Sequence, residues 1–162
     1  MKLAIVSLLL ISSTWLVSCK SNSTSPNTTT TISSGMTATV NGTAWKSDAV
    51  VGFRHAPTAT PNLQFEGWVN QPFVQIPFNA SPAITGPGTY PIITHVTSLT
   101  ENSIEAAYNT TDATYSDSSR GSMTITTLTD KNVQGTFNFI AIDDFHGDTV
   151  TITNGQFNIP LQ

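Results

Sequence analysis

From residue 35 onward, apolar and polar residues alternate with a period of two, and helical spacing is nearly absent. That pattern predicts short, half-buried β-strands separated by turns. Met36, Ala38 and Val40 alternate with Thr37 and Thr39, and Asn41-Gly42 then supplies the positive-φ pair of a tight hairpin. Residues 45–53 read as the returning strand, with Trp45 in the core, and 57–61 as a loop. Leu63, Phe65, Gly67 and Val69 form one face of the next strand, and Gln64, Glu66, Trp68 and Asn70 the other. Val74, Ile76 and Phe78 share a side of a further strand, where Pro77 argues for an edge position or a bulge. Gly86-Pro87-Gly88 is a turn, and Pro91 again hints at an edge in 89–93. Residues 103–108 suit either a strand with Ile104, Ala106 and Tyr108 inward or a helical turn, and 109–120 read as polar loop.

The C-terminal part carries the clearest alternation. Residues 122–128 form a strand, 129–132 a turn, and 133–142 a strand with Gly135, Phe137, Phe139 and Ala141 on one face. Asn154-Gly155 is a second hairpin signal, between 150–153 and a closing strand with Phe157, Ile159 and Leu161 inward. About nine short antiparallel strands result, with no fixed-period repeat. An all-β antiparallel β-sandwich is the expected fold, and a closed lipocalin-like barrel is the alternative.

The N-terminal segment has a different pattern. Lys2 precedes an apolar run over 3–11 broken only by Ser7, and Leu16-Val17-Ser18-Cys19 comes after it. The apolar stretch suits a secretory signal and is short of the roughly 20 residues a membrane span needs. Leu16-Val17-Ser18-Cys19 resembles a bacterial lipobox, which implies a signal peptide over 1–18 and a lipidated Cys19 as the mature N-terminus. Several acyl chains on one cysteine anchor firmly, each buried CH₂ contributing about 0.8 kcal/mol. As the only cysteine, Cys19 leaves no partner for a disulfide. Residues 20–34 are almost entirely Ser, Thr and Asn, so 19–34 is expected to be a disordered tether, spanning roughly 20 Å, before a domain over 35–162.

The chain has 162 residues and a net charge of −4, with no cluster of Lys and Arg. Nucleic acid is therefore excluded as a partner on electrostatic grounds. Charged residues make up only 10%, while Thr is abundant, which suits an exported β-protein whose solvated faces carry hydroxyls.

Four segments carry a family resemblance: Thr39-Val40-Asn41-Gly42-Thr43-Ala44-Trp45, Gly88-Thr89-Tyr90, Gly135-Thr136-Phe137-Asn138-Phe139, and Ile152-Thr153-Asn154-Gly155-Gln156-Phe157. Together they resemble a family of small Bacteroidota lipoproteins whose domain has no assigned function. The resemblance implies a fold and a compartment, and it carries over no catalytic residue. Lipoproteins of that phylum are often sent to the cell surface by acidic residues soon after the cysteine. Lys20-Ser21-Asn22-Ser23 holds none, so an outer-membrane lipoprotein facing the periplasm is expected.

Three groups of residues could carry chemistry. Gln64, Glu66, Trp68 and Asn70 share a strand face, and an aromatic flanked by amides and a carboxylate suits a sugar platform; alternatively Trp68 packs in a covered sheet. Asp143, Asp144, His146 and Asp148 could hold Ca²⁺ or Zn²⁺, although an EF-hand would need Glu where Gly155 stands, and a solvated turn rich in Asp and Gly fits as well. Thr149, within Asp148-Thr149-Val150, resembles a short O-glycosylation sequon of Bacteroidota. No Gly-x-Ser-x-Gly or H-E-x-x-H motif is present, and His55, His95 and His146 are scattered. Glu66, Glu101 and Glu105 could be paired as glycosidase acid and base only by a structure.

The expected function is thus a non-enzymatic, cofactor-free envelope lipoprotein, anchored to the membrane through Cys19, that binds a glycan or another envelope protein. A lipocalin-like carrier of a small apolar ligand is the alternative, and a hydrolase the third.

Overall fold

The computed structural model describes residues 33–56, 58–93, 102–116, 119–143 and 145–162, all within the unit Thr31–Gln162. These residues are all-β, with twelve strands and no helix among them. In chain order the strands are β1 (Gly35–Val40), β2 (Thr43–Lys46), β3 (Ala49–Arg54), β4 (Leu63–Asn70), β5 (Phe73–Ala80) and β6 (Gly88–Ile92). They continue with β7 (Ile104–Ala106), β8 (Tyr108–Thr110), β9 (Thr114–Tyr115), β10 (Arg120–Leu128), β11 (Asn132–Asp143) and β12 (Asp148–Pro160). They build a single sheet in the order β2-β1-β12-β11-β10-β6-β7-β5-β4-β3, with β8 and β9 attached beside β5. All pairings are antiparallel except β6 with β7, which meet at Ile92 and Ile104.

The sheet is highly curled, in the form of a half-barrel. The reason is visible in the chain: the two ends of the path, β2 and β3, are joined by only Ser47 and Asp48. Residues 45–53, expected as one strand, are therefore divided between two partners, β1 and β4. Ser47 makes the break. Its Oγ accepts from the Met36 N–H at 3.0 Å, and its own N–H donates to Met36 O at 2.9 Å. The Asp48 N–H donates instead to Trp68 O at 2.8 Å, which starts the ladder with β4. Beyond β12, the Gln162 N–H donates to Gly52 O and its carbonyl accepts from Arg54 N–H, tying the C-terminus to β3.

The concave side holds the core. Phe65 on β4 meets Phe157 on β12 at 4.9 Å between ring centroids, and Phe78 on β5 meets Phe137 on β11 at the same distance. The single curled sheet thus shares a feature with each expected form. It is one continuous ladder, as in a barrel, yet its halves touch across packed aromatic rings, as in a sandwich. On the convex side, hydroxyls replace charge as expected. One cross-strand row runs Thr89, Thr124, Thr136, Gln156, Thr37 over five strands.

Several expected details change. Asn41-Gly42 is a hairpin turn, both residues having positive φ, 46° and 82°. Asn154-Gly155 is not; it lies within the continuous strand β12, and Asn154 alone has positive φ there. The pair forms a bulge, where the register shifts against both β1 and β11. Pro77 is not on an edge, since β5 is paired on both sides. It lies where the neighbouring partner is interrupted between β7 and β8, and its carbonyl accepts from Ala107 N–H at 3.2 Å. Pro91 does lie in an edge-like strand, because β6 is laddered to β10 but meets β7 at one pair only. Within 103–108 the chain forms β7 and the start of β8, broken at Ala107, rather than a helical turn, with Ile104 and Ala106 buried and Tyr108 half-buried. Trp45 packs against the core at its rim, half-buried.

Candidate functional site

The convex face of β3, β4 and β5 brings together the best-organised set of polar side chains. Because β4 alternates, Leu63, Phe65 and Gly67 are buried, while Gln64, Glu66 and Trp68 are half-buried on the other side and Asn70 is exposed. Register then dictates their neighbours. Gln64 stands between Phe53 and Asn79, Glu66 between Val51 and Pro77, and Trp68 between Ala49 and Gln75.

Hydrogen bonds join these side chains across the strands in two lines. In the first, His55 Nε2 lies 3.2 Å from Gln64 Oε1, and Gln64 Nε2 donates to Asn79 Oδ1 at 3.1 Å. In the second, Asn109 Nδ2 donates to Gln75 Oε1 at 3.0 Å, and Gln75 Nε2 donates to Glu66 Oε2 at 2.7 Å. Asn109 thereby fixes which end of the Gln75 amide faces the carboxylate. A carboxylate accepting a short, well-held amide N–H is a rigid acceptor.

Between the two lines is a concavity of about 150 Å³, with apolar walls from Val51, Phe53 and Pro77 and polar ones from Gln64, Glu66 and Asn79. A second, of about 190 Å³, adjoins it through Gln64 and Asn79 and extends past Pro61 to Glu105. The aromatic side chain here is Phe53, 39% exposed. Trp68 shares the face but does not line either concavity, and Asn70 is tied to Asp48, whose Oδ2 accepts from Asn70 N–H at 3.0 Å. Sequence patterning thus finds Gln64 and Glu66 but misses Phe53. The period of two separates Val51 and Phe53 from Val50 and Gly52, but both pairs hold a bulky apolar residue, so alternation alone assigns this strand no inward face. Gly52 is the inward one, with a Cβ position only 2.7 Å from Leu161 Cδ2. A larger concavity, about 450 Å³, lies over β10–β12 beside Arg120, Asn138, Thr151 and Thr153. Glu66 and Glu105 line different concavities, on strands separated by β5. Glu101 and His95 lie outside the described residues.

The loop between β11 and β12 is organised around Asp143. Its Oδ1 accepts from the N–H groups of Phe145 (2.9 Å) and His146 (3.2 Å), its Oδ2 lies 2.6 Å from His146 Nδ1, and its carbonyl accepts from Gly147 N–H. The hydrogen bond to His146 holds the Asp143 carboxyl below its ordinary value, and the same bond raises the His146 imidazole. Both carboxylate oxygens are therefore engaged in shaping the turn. Asp148 pairs with Asp143 in the ladder and is exposed, and Asp144 lies outside the described residues. Among the described residues no three His, Cys, Asp or Glu side chains converge as a metal site. Thr149 is exposed at the start of β12. Cys19, the segment expected as a signal peptide and all of the expected tether but residues 33 and 34 lie outside the described residues, and no described helix is long and apolar enough to cross a membrane.

No curated protein and no solved structure matches the chain. A family model does, over residues 32–160, which is the whole of the curled sheet. The chain belongs to the family defined by the domain of unknown function DUF6252.

Proposed function

We propose that the protein is a non-catalytic binding module of the bacterial envelope, held to the membrane by a lipidated Cys19, facing the periplasm, with a glycan as its ligand. The observation that carries this reading is the convex face of β3–β5. There, side chains fixed by two hydrogen-bonded lines flank an open concavity with an exposed aromatic ring. Sugars need that combination: an apolar surface for the C–H face of a pyranose, and preoriented amides and carboxylates for its hydroxyls. Preorientation matters because side chains already held lose little entropy on binding. The concavities are shallow, which suits one or two units of an extended chain rather than an engulfed small molecule. The carrier alternative needs an open apolar interior, and Phe65, Phe78, Phe137 and Phe157 occupy the middle of this one.

The test is a thermal-shift and calorimetric screen of the detergent-solubilised full-length protein against neutral, acidic and amino oligosaccharides, with fatty acids as comparison. A ligand at a hundred times its Kd adds about 2.7 kcal/mol, a rise on the order of 10 °C for a domain of this size. Phe53→Ala should abolish the shift while leaving the fold intact, since Phe53 is outside the core. A fatty acid hit with no sugar hit would overturn the reading in favour of a carrier.

A further inference from the structure

Resting on that reading, we propose that the β3–β5 groove selects a glycan bearing a free amine, an amino sugar without its acetyl group, through Glu66. Among the described residues, Glu66 is the one charged side chain lining the concavity that contains Phe53. Among the described residues no Lys or Arg lines either this concavity or the adjoining one. The charge of the Phe53 concavity is thus that of Glu66, and its sign favours a cation.

The geometry gives the carboxylate a direction. Gln75 holds Oε2 at 2.7 Å and is itself held by Asn109, so Glu66 cannot swing away without breaking the bond that Asn109 braces. Oε1 carries no further hydrogen bond to the described side chains. Phe53 stands opposite Gln64, and Glu66 is two residues on, opposite Val51. Such diagonal cross-strand neighbours are roughly 7–8 Å apart, room for one pyranose ring laid on the Phe53 face with a ring substituent reaching Oε1. Gln64 Nε2 and Gln75 Nε2 each have a second N–H beyond the one already bonded, and these suit ring and hydroxyl oxygens. An ammonium group at that substituent completes a charge-assisted hydrogen bond to Oε1. An acetamide there replaces the charge with a bulky neutral group and leaves the carboxylate uncompensated.

The measurement is isothermal calorimetry on the full-length protein in detergent with three tetrasaccharides of the same β1,4 linkage: glucosamine, N-acetylglucosamine and glucose. The glucosamine oligomer should bind on the order of ten- to a hundredfold more tightly than the other two, as expected for one hydrogen bond to a charged group. Glu66→Gln keeps the bond to Gln75 and the fold, and should bring the three affinities to within about threefold of one another. Asp112→Asn, an exposed acid on another loop, should leave the preference unchanged and so controls for general attraction to a negative protein. Equal affinities for the three in the wild type, with Glu66→Gln silent, would overturn the amine assignment while leaving a glycan site. Preference that survives Glu66→Gln but vanishes with Asp112→Asn or moderate salt would overturn it as nonspecific attraction. Binding of none of the oligomers, or of oligolysine alone, would overturn both the assignment and the glycan reading on which it rests.

Discussion

At the residue scale, two positions show how closely the fold depends on single atoms. Gly155 faces Phe137 across the β11–β12 ladder, and a Cβ added there would lie 2.5 Å from the ring. The ring occupies the space a side chain would need, so the glycine is required for packing rather than for a turn. Gly155→Ala should therefore cost about 1–3 kcal/mol, as overpacking does, read as a lower urea midpoint with an unchanged slope. Asp143 and His146 make the second case. The raised His146 pKa means its contribution is fully present below its ordinary 6.5 and is lost as pH rises through the higher folded value. The lowered Asp143 pKa means its contribution is present above 3.8 and is lost as pH falls through the depressed folded value. The turn is accordingly most stable between about pH 4 and 6.5. NMR titration should place the His146 midpoint above 6.5 in the wild type and move it back toward 6.5 in Asp143→Asn.

At the scale of elements, the period-two pattern located most strands and their inward faces, because alternation is a local consequence of the pleat. Partners are a different matter. The dipeptide Asn-Gly occurs twice in these strands and ends one while merely bending the other, since the residues after Asn154-Gly155 stay laddered to β1 and β11. Nothing within 45–53 signals that the segment must divide either, for its cause is Met36, whose N–H and C=O both find Ser47. The candidate site was legible to the same extent: Gln64 and Glu66 emerge from one strand's alternation, while Phe53 joins them only through the register of β3 with β4. Ser47→Ala tests the break. It removes the acceptor of a buried N–H, which should cost about 1–3 kcal/mol; a change under a few tenths in chemical denaturation would mean that the backbone bonds alone hold the split.

At the scale of the whole molecule, the proposed anchor would hold at the membrane a domain whose solvated face carries hydroxyls in place of charge. Cys19→Ala should release the protein from the membrane fraction into the soluble one, and retention in the membrane would refute lipid anchoring. Thr149 is exposed at the entrance to β12; intact-mass measurement of protein purified from its own host should show a glycan that Thr149→Ala removes, and an unmodified mass would reject that acceptor.

The union of the domain's first and last strands in one sheet also sets an order in time. β1 is the first strand of the domain to be synthesised and β12 the last, and they are neighbours, with Gly35 opposite Asn158. Until β12 has been made, β1 has no ladder partner except the short β2, and β3 lacks the two bonds it shares with Gln162. Pairing across so much chain is slow, because the loop must close before the contact is gained. A nascent chain of this design therefore stays open while it emerges and shuts only when it is whole. An exported protein that must thread through a translocon unfolded would gain from that delay.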